Sequence, residues 1–134
     1  MILEAPHVFC EDLSVRSIAA AAERYLQGDL RRALERHHGA NADVAFWGWN
    51  RAWLDPGFRE WNLEEFLPGI RVPVLVIQGE QDEYGTLEQL DAIEAGCRAP
   101  VERLVLPSCG HSPHRDQPEA TLRAITNLVR RLVG

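Results

Sequence analysis

A carboxylate and a histidine follow two apolar segments of this sequence, at positions that predict proton-transfer chemistry. Asp82 lies in a short acidic run directly after residues 72–77, and His111 lies a few residues after 101–106. A carboxylate bonded to an imidazole fixes the imidazole tautomer and stabilises the imidazolium that forms when the ring takes a proton from a nucleophile. We therefore predict a carboxylate–histidine pair. The competitors of Asp82 for this role are Glu80 and Glu83.

The two apolar segments have the composition of buried parallel strands. Residues 72–77 are apolar and rich in β-branched residues, which is typical of a strand covered on both faces. Residues 86–96 have a helical pattern, so the order strand, helix, strand predicts a right-handed βαβ unit. Parallel neighbours end at the same edge of a sheet and lie about 5 Å apart. We therefore expect Asp82 and His111 to meet at that edge.

Helical patterns dominate the rest of the chain. Residues 14–67 have the apolar periodicity of four helices and no strand pattern. Their predicted N-terminal caps are Ser14, Asp29, Asn41 and Asn62. The final helix is predicted to begin at Pro118. Its predicted buried stripe consists of Leu122, Ile125, Val129 and Leu132, and Leu128 widens it.

Two motifs at the predicted sheet edge resemble a known family. The first is Gly-Glu-Gln-Asp at residues 79–82, and the second is Gly-His-Ser-Pro-His-Arg-Asp-Gln-Pro-Glu at residues 110–119, before the final helix. Together they resemble the C-terminal portion of the α/β-hydrolase fold, in which the acid precedes the histidine along the chain. The resemblance implies that Asp82 is the acid and His111 the base of a catalytic triad.

The resemblance extends over nearly the whole chain and implies an α/β fold, the C-terminal portion of an α/β-hydrolase parallel sheet with a helical cap. It implies that residues 1–13 are the end of a core strand and the start of the cap, that 14–69 are the helical cap, and that 70–134 are the C-terminal α/β core segment. The implied activity is hydrolysis of a small ester or related acyl compound by a serine nucleophile. It requires no organic cofactor and no metal ion.

The nucleophile motif of that family, Gly-x-Ser-x-Gly, does not occur in these 134 residues. The resemblance implies that this motif and part of the oxyanion hole precede the cap. None of the four serines has the flanking glycines; they are Ser14, Ser17, Ser108 and Ser112. We therefore expect the chain to be inactive alone. Exposed strand edges and apolar patches drive association, so we also expect self-association or a complementary N-terminal half.

Aromatic residues are dense in the predicted cap. Phe46, Trp49 and Trp53 are three and four residues apart and share one face of a helix, whereas Trp47 faces another direction. Such a stripe is typical of helix packing. The resemblance adds a second interpretation, in which these four residues wall an apolar substrate pocket over the triad. The two interpretations are compatible.

Two alternatives to a serine hydrolase remain open. The first is a metal-dependent or thiol enzyme built on His111, His114, Asp116 and Cys109. A catalytic Cys–His pair normally meets through the fold and not within one short loop, so Cys109 is more typical of a small buried residue than of a nucleophile. The other alternative is a non-catalytic interaction module derived from a truncated hydrolase, whose apolar edge binds another protein.

The composition excludes several further classes. The chain has 14 basic residues, all of them Arg, against 20 acidic ones, so its formal net charge is −6. Without lysine it has no Schiff-base or P-loop lysine, and its acidic balance argues against nucleic-acid binding. No apolar run approaches the roughly 20 residues of a membrane span, the start lacks a signal-peptide pattern, and three cysteines are too few for a disulfide framework. We expect a cytoplasmic protein without nucleic-acid or membrane partners.

Overall fold

The structure, a computed structural model, describes all 134 residues and contains two compact units. The core unit consists of Met1–Phe9 and Asn62–Gly134, and the helical unit consists of Cys10–Trp61. The cap predicted from the sequence extends to residue 69, whereas residues 62–69 belong to the core unit. The reason is local: Leu67 is buried in a core cluster with Leu90 and Ile93.

The core unit contains a three-stranded parallel sheet. Its strands are β1 (Ile2–Glu4), β2 (Val74–Gly79) and β3 (Val101–Leu106), in the order β1-β2-β3. Every residue of the central strand β2 is buried, as its apolar composition predicts. The register pairs Gly79 with Leu106, so β2 and β3 end side by side. These features confirm the predicted α/β fold class.

Helices cover both faces of this sheet. The connection from β2 to β3 contains α4 (Glu88–Gly96), whose Leu90 and Ile93 pack on the face that carries Val76. After β3 come the short α5 (Pro113–Asp116) and α6 (Pro118–Val133). Leu128 of α6 packs on the opposite face of the sheet, in the cluster that contains Leu75 and Ile77. Successive strand residues point to opposite faces, which is why one strand supplies both clusters.

The buried stripe predicted for the final helix is confirmed only in part. Leu128, which was predicted to widen the stripe, is 4% exposed, and Ile125 packs against the same cluster. Leu122 and Leu132 are 65% and 53% exposed, so the prediction is wrong for them. Thr121 is the other buried residue of α6. The helix is apolar over more of its circumference than one face of a three-stranded sheet covers, so periodicity alone did not identify which of its apolar residues are buried.

The helical unit contains α1 (Asp12–Gln27), α2 (Asp29–His38) and α3 (Ala42–Leu54), followed by a 3-10 turn at Pro56–Glu60. Ser14 does not cap α1, because the helix begins two residues earlier and Ser14 is buried within it. The side chain of Asn50 donates a hydrogen bond to the backbone oxygen of Ile18, which ties α3 to α1. None of the helices in the chain has both the length and the apolar character needed to cross a membrane.

Candidate active site

The turn after β2 holds Asp82 in place through the backbone. Asp82 Oδ1 accepts hydrogen bonds from the amides of Tyr84 at 2.8 Å and Gly85 at 3.2 Å. An aspartate that bonds the amide two residues ahead forms a compact turn of its own. Gln78, the buried penultimate residue of β2, supports this turn by donating from Nε2 to the backbone oxygen of Gly85 at 2.7 Å. The backbone of this turn thus fixes the Asp82 carboxylate independently of its contact with His111.

The loop after β3 crosses directly over the end of β2. Ser108 adopts a left-handed backbone conformation with φ of 52°, which turns the chain back toward β2. The carbonyl of Cys109 then accepts a hydrogen bond from the amide of Gln81 at 2.9 Å. A side chain at Gly79 has no room here, because its Cβ would lie 2.0 Å from that carbonyl oxygen. This close approach carries the chain to His111.

Asp82 and His111 are in direct contact. The Nδ1 atom of His111 lies 2.9 Å from Oδ1 and 3.0 Å from Oδ2 of Asp82. The Asp82 side chain is 1% exposed, whereas that of His111 is 34% exposed. An ionised carboxylate only accepts hydrogen bonds, so Nδ1 carries the hydrogen and Nε2 is left as the basic nitrogen. This arrangement can remove a proton from a neighbouring hydroxyl group.

Two further rings lie beside the imidazole of His111. The ring centroid of Tyr84 is 4.9 Å away with an interplanar angle of 59°, and that of His7 is 5.7 Å away with an angle of 51°. A Cβ at Gly85 would lie 3.1 Å from Cε1 of His7, so His7 also packs closely on the Asp82 turn. Sequence reasoning missed both residues. Tyr84 could have been predicted, because it is two residues after Asp82. Nothing in the sequence links His7 to this site.

Opposing effects act on the two titrating groups. Burial raises the pKa of Asp82, but hydrogen bonds from His111 and from the backbone of Tyr84 and Gly85 outweigh burial, so the net pKa is lowered from 3.8. Burial lowers the pKa of His111, but the hydrogen bond and charge of Asp82, with the charges of Glu83 and Glu4, outweigh it. The net pKa of His111 is therefore raised from 6.5. Each partner favours the charged form of the other.

The pair should make stability depend on pH in a defined window. The contribution of Asp82 is present above its ordinary pKa and is lost as pH falls through the lowered value, whereas that of His111 is present below its ordinary pKa and is lost as pH rises through the raised value. We expect the stability difference between the wild type and His111→Gln to be largest near about pH 5 and smaller near about pH 9.

Amide exchange of β2 measures this difference in the core unit. Tryptophan fluorescence does not suit the purpose, because all four tryptophans lie in the helical unit. An equal difference at both pH values would contradict the assignment of charges to the pair.

The other polar residues of the two loops have separate partners. His114 Nδ1 lies 2.7 Å from Glu4 Oε1, not beside His111. Asp116 Oδ2 accepts a hydrogen bond from the amide of Gly110. No three side chains of the metal-binding types come together in a way that would hold an ion, so the metal alternative gains no support. Glu80 is exposed.

Cys109 is unsuited to act as a nucleophile. It is 1% exposed and packs in the cluster with Ile77 and Leu128. Burial raises the pKa of its thiol, and the charges of Asp116 and Asp82 raise it further. A reactive cysteine needs the opposite conditions, an exposed thiol with a lowered pKa.

The predicted pocket aromatics fall into two groups within the helical unit. Phe46 is 3% exposed and stacks on Tyr25 at 3.9 Å, with Trp47 edge-on to both rings. Trp49 lies 5.7 Å from Phe46 but is 38% exposed. The other group consists of Trp53, Phe58 and Trp61. Phe46 is thus a core residue of the helical unit. In the group around Phe46, Trp49 has the largest exposed fraction and so the most surface for contact with another molecule.

The chain is similar in structure to known hydrolases over most of its length. A thermophilic esterase from Thermogutta terrifontis matches with a TM-score of 0.60 and 21% identity over 99% of this chain and 56% of that chain. An esterase from Exiguobacterium antarcticum gives 0.60 and 17% over 96% and 56%. A serine hydrolase involved in carbazole degradation gives 0.65 and 16% over 96% and 53%. The chain thus spans about half the length of these proteins, and the likeness shows the fold.

Sequence comparison identifies the family. A search of curated proteins gives no match. A family model described as the Alpha/beta hydrolase family matches residues 3–124, which is most of the chain. The matched region contains β2 and β3, the loops after them that carry Asp82 and His111, and the helical unit. The chain therefore belongs to the alpha/beta hydrolase family.

Proposed function

We propose that this chain supplies the base and the orienting acid of a serine hydrolase that cleaves esters or related acyl bonds. The observation that carries the proposal is the contact between the partly exposed imidazole of His111 and the buried carboxylate of Asp82. A buried carboxylate on Nδ1 leaves Nε2 available as a base. The esterases among the proteins of similar fold support the proposal of an acyl substrate.

In the proposed reaction a serine oxygen attacks the acyl carbon and forms a tetrahedral intermediate. Nε2 of His111 accepts the serine proton and then donates it to the leaving group, so that an acyl-enzyme remains. A water molecule then attacks the acyl-enzyme while Nε2 of His111 accepts its proton. The second tetrahedral intermediate breaks its bond to the serine oxygen, which takes that proton from Nε2, so the acid is released and the serine is restored. Asp82 keeps Nδ1 protonated throughout and stabilises the imidazolium.

We propose that the serine and the oxyanion-hole donors come from residues outside these 134. No serine of the chain has the Gly-x-Ser-x-Gly pattern, which presents the nucleophile on a tight turn between strand and helix. On this proposal the chain alone forms no acyl-enzyme. The aromatic residues of the helical unit, Phe46, Trp47, Trp49 and Trp53, are proposed to select substrates by apolar shape.

We also propose that the chain associates with itself or with a complementary polypeptide that carries the nucleophile. Two features support association. β1 forms hydrogen bonds with β2 on one side and lies at the edge of the sheet on the other. Leu122 and Val133 of α6 are 65% and 80% exposed, and exposed apolar surface of this kind favours contact with another chain.

Complementation tests the proposal directly. The chain is produced alone and together with a polypeptide that contains Gly-x-Ser-x-Gly and is encoded immediately upstream, and both samples are assayed for p-nitrophenyl butyrate hydrolysis and for labelling by a fluorophosphonate. We expect labelling and hydrolysis only in the combined sample, and we expect His111→Gln in this chain to abolish hydrolysis. Stoichiometric labelling of the chain alone would overturn the proposal.

The same experiment separates the alternative of a non-catalytic module. If the two polypeptides form a stable complex by light scattering but hydrolyse no ester, association is the function that survives. Glu80→Gln serves as the matched control for substitutions near the site, because Glu80 is exposed in the same turn as Asp82 and takes no part in the proposed chemistry.

A further inference from the structure

Three carboxylates hold the backbone of the loop that carries His111. Asp116 Oδ2 accepts a hydrogen bond from the amide of Gly110 at 2.9 Å, and Glu83 Oε2 accepts one from the amide of His111 at 3.3 Å. Glu4 Oε1 accepts one from the amide of His114 at 2.6 Å. The three come from different elements, namely α5, the turn after β2, and β1. We call Glu4, Glu83 and Asp116 the carboxylate clamp.

The clamp closes tightly on the backbone at Gly110. A Cβ at this glycine would lie 3.0 Å from Glu83 Oε2 and 3.3 Å from Asp116 Oδ2. Two carboxylates thus approach one residue from separate elements, next to the histidine. Loop amides that point away from a regular sheet or helix need partners of their own, and hydrogen bonds to ionised acceptors are roughly twice as strong as those between neutral groups.

The clamp also adds negative charge around an imidazole that already contacts Asp82. The groups near His111 come from three places: Asp82, Glu83 and Tyr84 in the turn after β2, Glu4 and His7 in and after β1, and His114 and Asp116 in α5. Burial lowers the pKa of His111, and the charges of Glu83 and Glu4 act with Asp82 to raise it. Glu83 and Glu4 therefore favour the imidazolium.

We propose that Glu4, Glu83 and Asp116 are positioning residues that fix the His111 loop, and that Glu83 in addition strengthens His111 as a proton acceptor. The inference deepens the proposed function and rests on it, because a positioned imidazole matters only where His111 is the base. Two of the bonds act on the loop amides of Gly110 and His111, and the third acts on the amide of His114 in the following α5. The imidazole therefore reaches Asp82 without the loop having to order itself during each reaction cycle.

The electrostatic part is tested by NMR titration of the histidine rings in the 134-residue chain. Glu83→Gln removes the charge but keeps an amide oxygen that accepts the same backbone hydrogen bond. We expect the His111 pKa to fall in this variant, and the difference from the wild type to shrink from 10 mM to 500 mM salt, because salt screens exposed charges. His111→Gln assigns the resonance, and Glu80→Gln removes a charge from the same turn as the control.

If the His111 pKa is the same in Glu83→Gln as in Glu80→Gln, Glu83 does not strengthen the base and this part of the proposal is overturned. Because the readout is the ring itself, this result is independent of complementation. Loss of restored hydrolysis in every combination would refute the proposed function and leave the titration result standing.

The positioning part is tested by amide exchange at Gly110. Asp116→Ala removes the acceptor, and we expect exchange about tenfold or more faster, as for the loss of one ordinary hydrogen bond. Asp116→Asn retains an acceptor oxygen and is expected to restore most of the protection. Glu119→Ala, an exposed acidic residue in the next helix, is the control. If the Gly110 amide exchanges at the same rate in Asp116→Ala and in the wild type, the positioning role of the clamp is overturned.

Discussion

Asp82→Asn is expected to lower kcat of the completed hydrolase by about 10⁴-fold while leaving the fold intact, by analogy with triads in which the acid is replaced by its amide. The amides of Tyr84 and Gly85 hold an oxygen at the Oδ1 position, so the new NH2 group takes the other position and faces Nδ1 of His111. Oδ1 lies 2.9 Å from Nδ1 but already accepts hydrogen bonds from both amides. We therefore expect Nδ1 to accept a hydrogen bond from the new NH2 group, which leaves the proton of the neutral imidazole on Nε2. An imidazole in this tautomer cannot accept a proton from serine.

The measurement is kcat for p-nitrophenyl butyrate in the complemented protein, with circular dichroism as the check on folding. Glu80→Gln makes the same chemical change on an exposed residue in the same turn, and its kcat is expected to stay within a factor of about two, as for a surface substitution. The imidazole 15N shifts of the chain alone report the tautomer separately. A kcat within tenfold of the wild type for Asp82→Asn would remove Asp82 from the mechanism.

Gly79→Ala is expected to be the most destabilising small substitution in the core unit. The added Cβ would lie 2.0 Å from the backbone oxygen of Cys109, 2.4 Å from its carbonyl carbon and 2.5 Å from the oxygen of Gly110. All three are backbone atoms, so a side-chain rotation cannot relieve the clash, and the His111 loop must move. We expect a loss of about 3 kcal/mol or more, the upper end of the range for overpacking.

Urea unfolding followed by amide exchange in β2 measures this loss. Gly69→Ala provides a matched control, because a Cβ there meets nothing within 4 Å and the residue belongs to the same unit. Its stability is expected to change by less than about 1 kcal/mol. Equal stability of the two variants would mean that the loop after β3 does not approach β2 as closely as the structure has it.

The site illustrates which features were predictable from the sequence. The two strands were predictable because continuous apolar, β-branched runs have few alternatives to a buried parallel strand. The contact between Asp82 and His111 followed from the rule that parallel neighbours end at one edge. His7 and Glu4 were not predictable as neighbours of that contact. They lie more than 70 residues before Asp82 and reach the site only because β1 pairs with β2.

The helices show the same division. The apolar periodicity of α6 predicted a helix. Which of its apolar residues are buried depended on how much of the helix surface the sheet covers. The amide of Glu64 donates a hydrogen bond to Asn62 Oδ1, but Asn62 is not the predicted helix cap. The segment that follows is a 3-10 helix at Glu64–Gly69, and its N-cap residue is Leu63. Pro68 lies within that segment and has no amide hydrogen for a regular α-helical bond.

The sequence by itself determined which segments form helices and strands, and it placed an acidic turn and a histidine loop after two of the strands. It could do so because backbone preferences and apolar periodicity act over a few residues. The tertiary structure alone decided which side chains surround the imidazole and which oxygens hold its loop. Those contacts join Glu4 with His114 and Asp82 with His111 across 110 and 29 residues. Contacts between residues so far apart in the sequence are set by sheet register and packing, which no short stretch of sequence specifies.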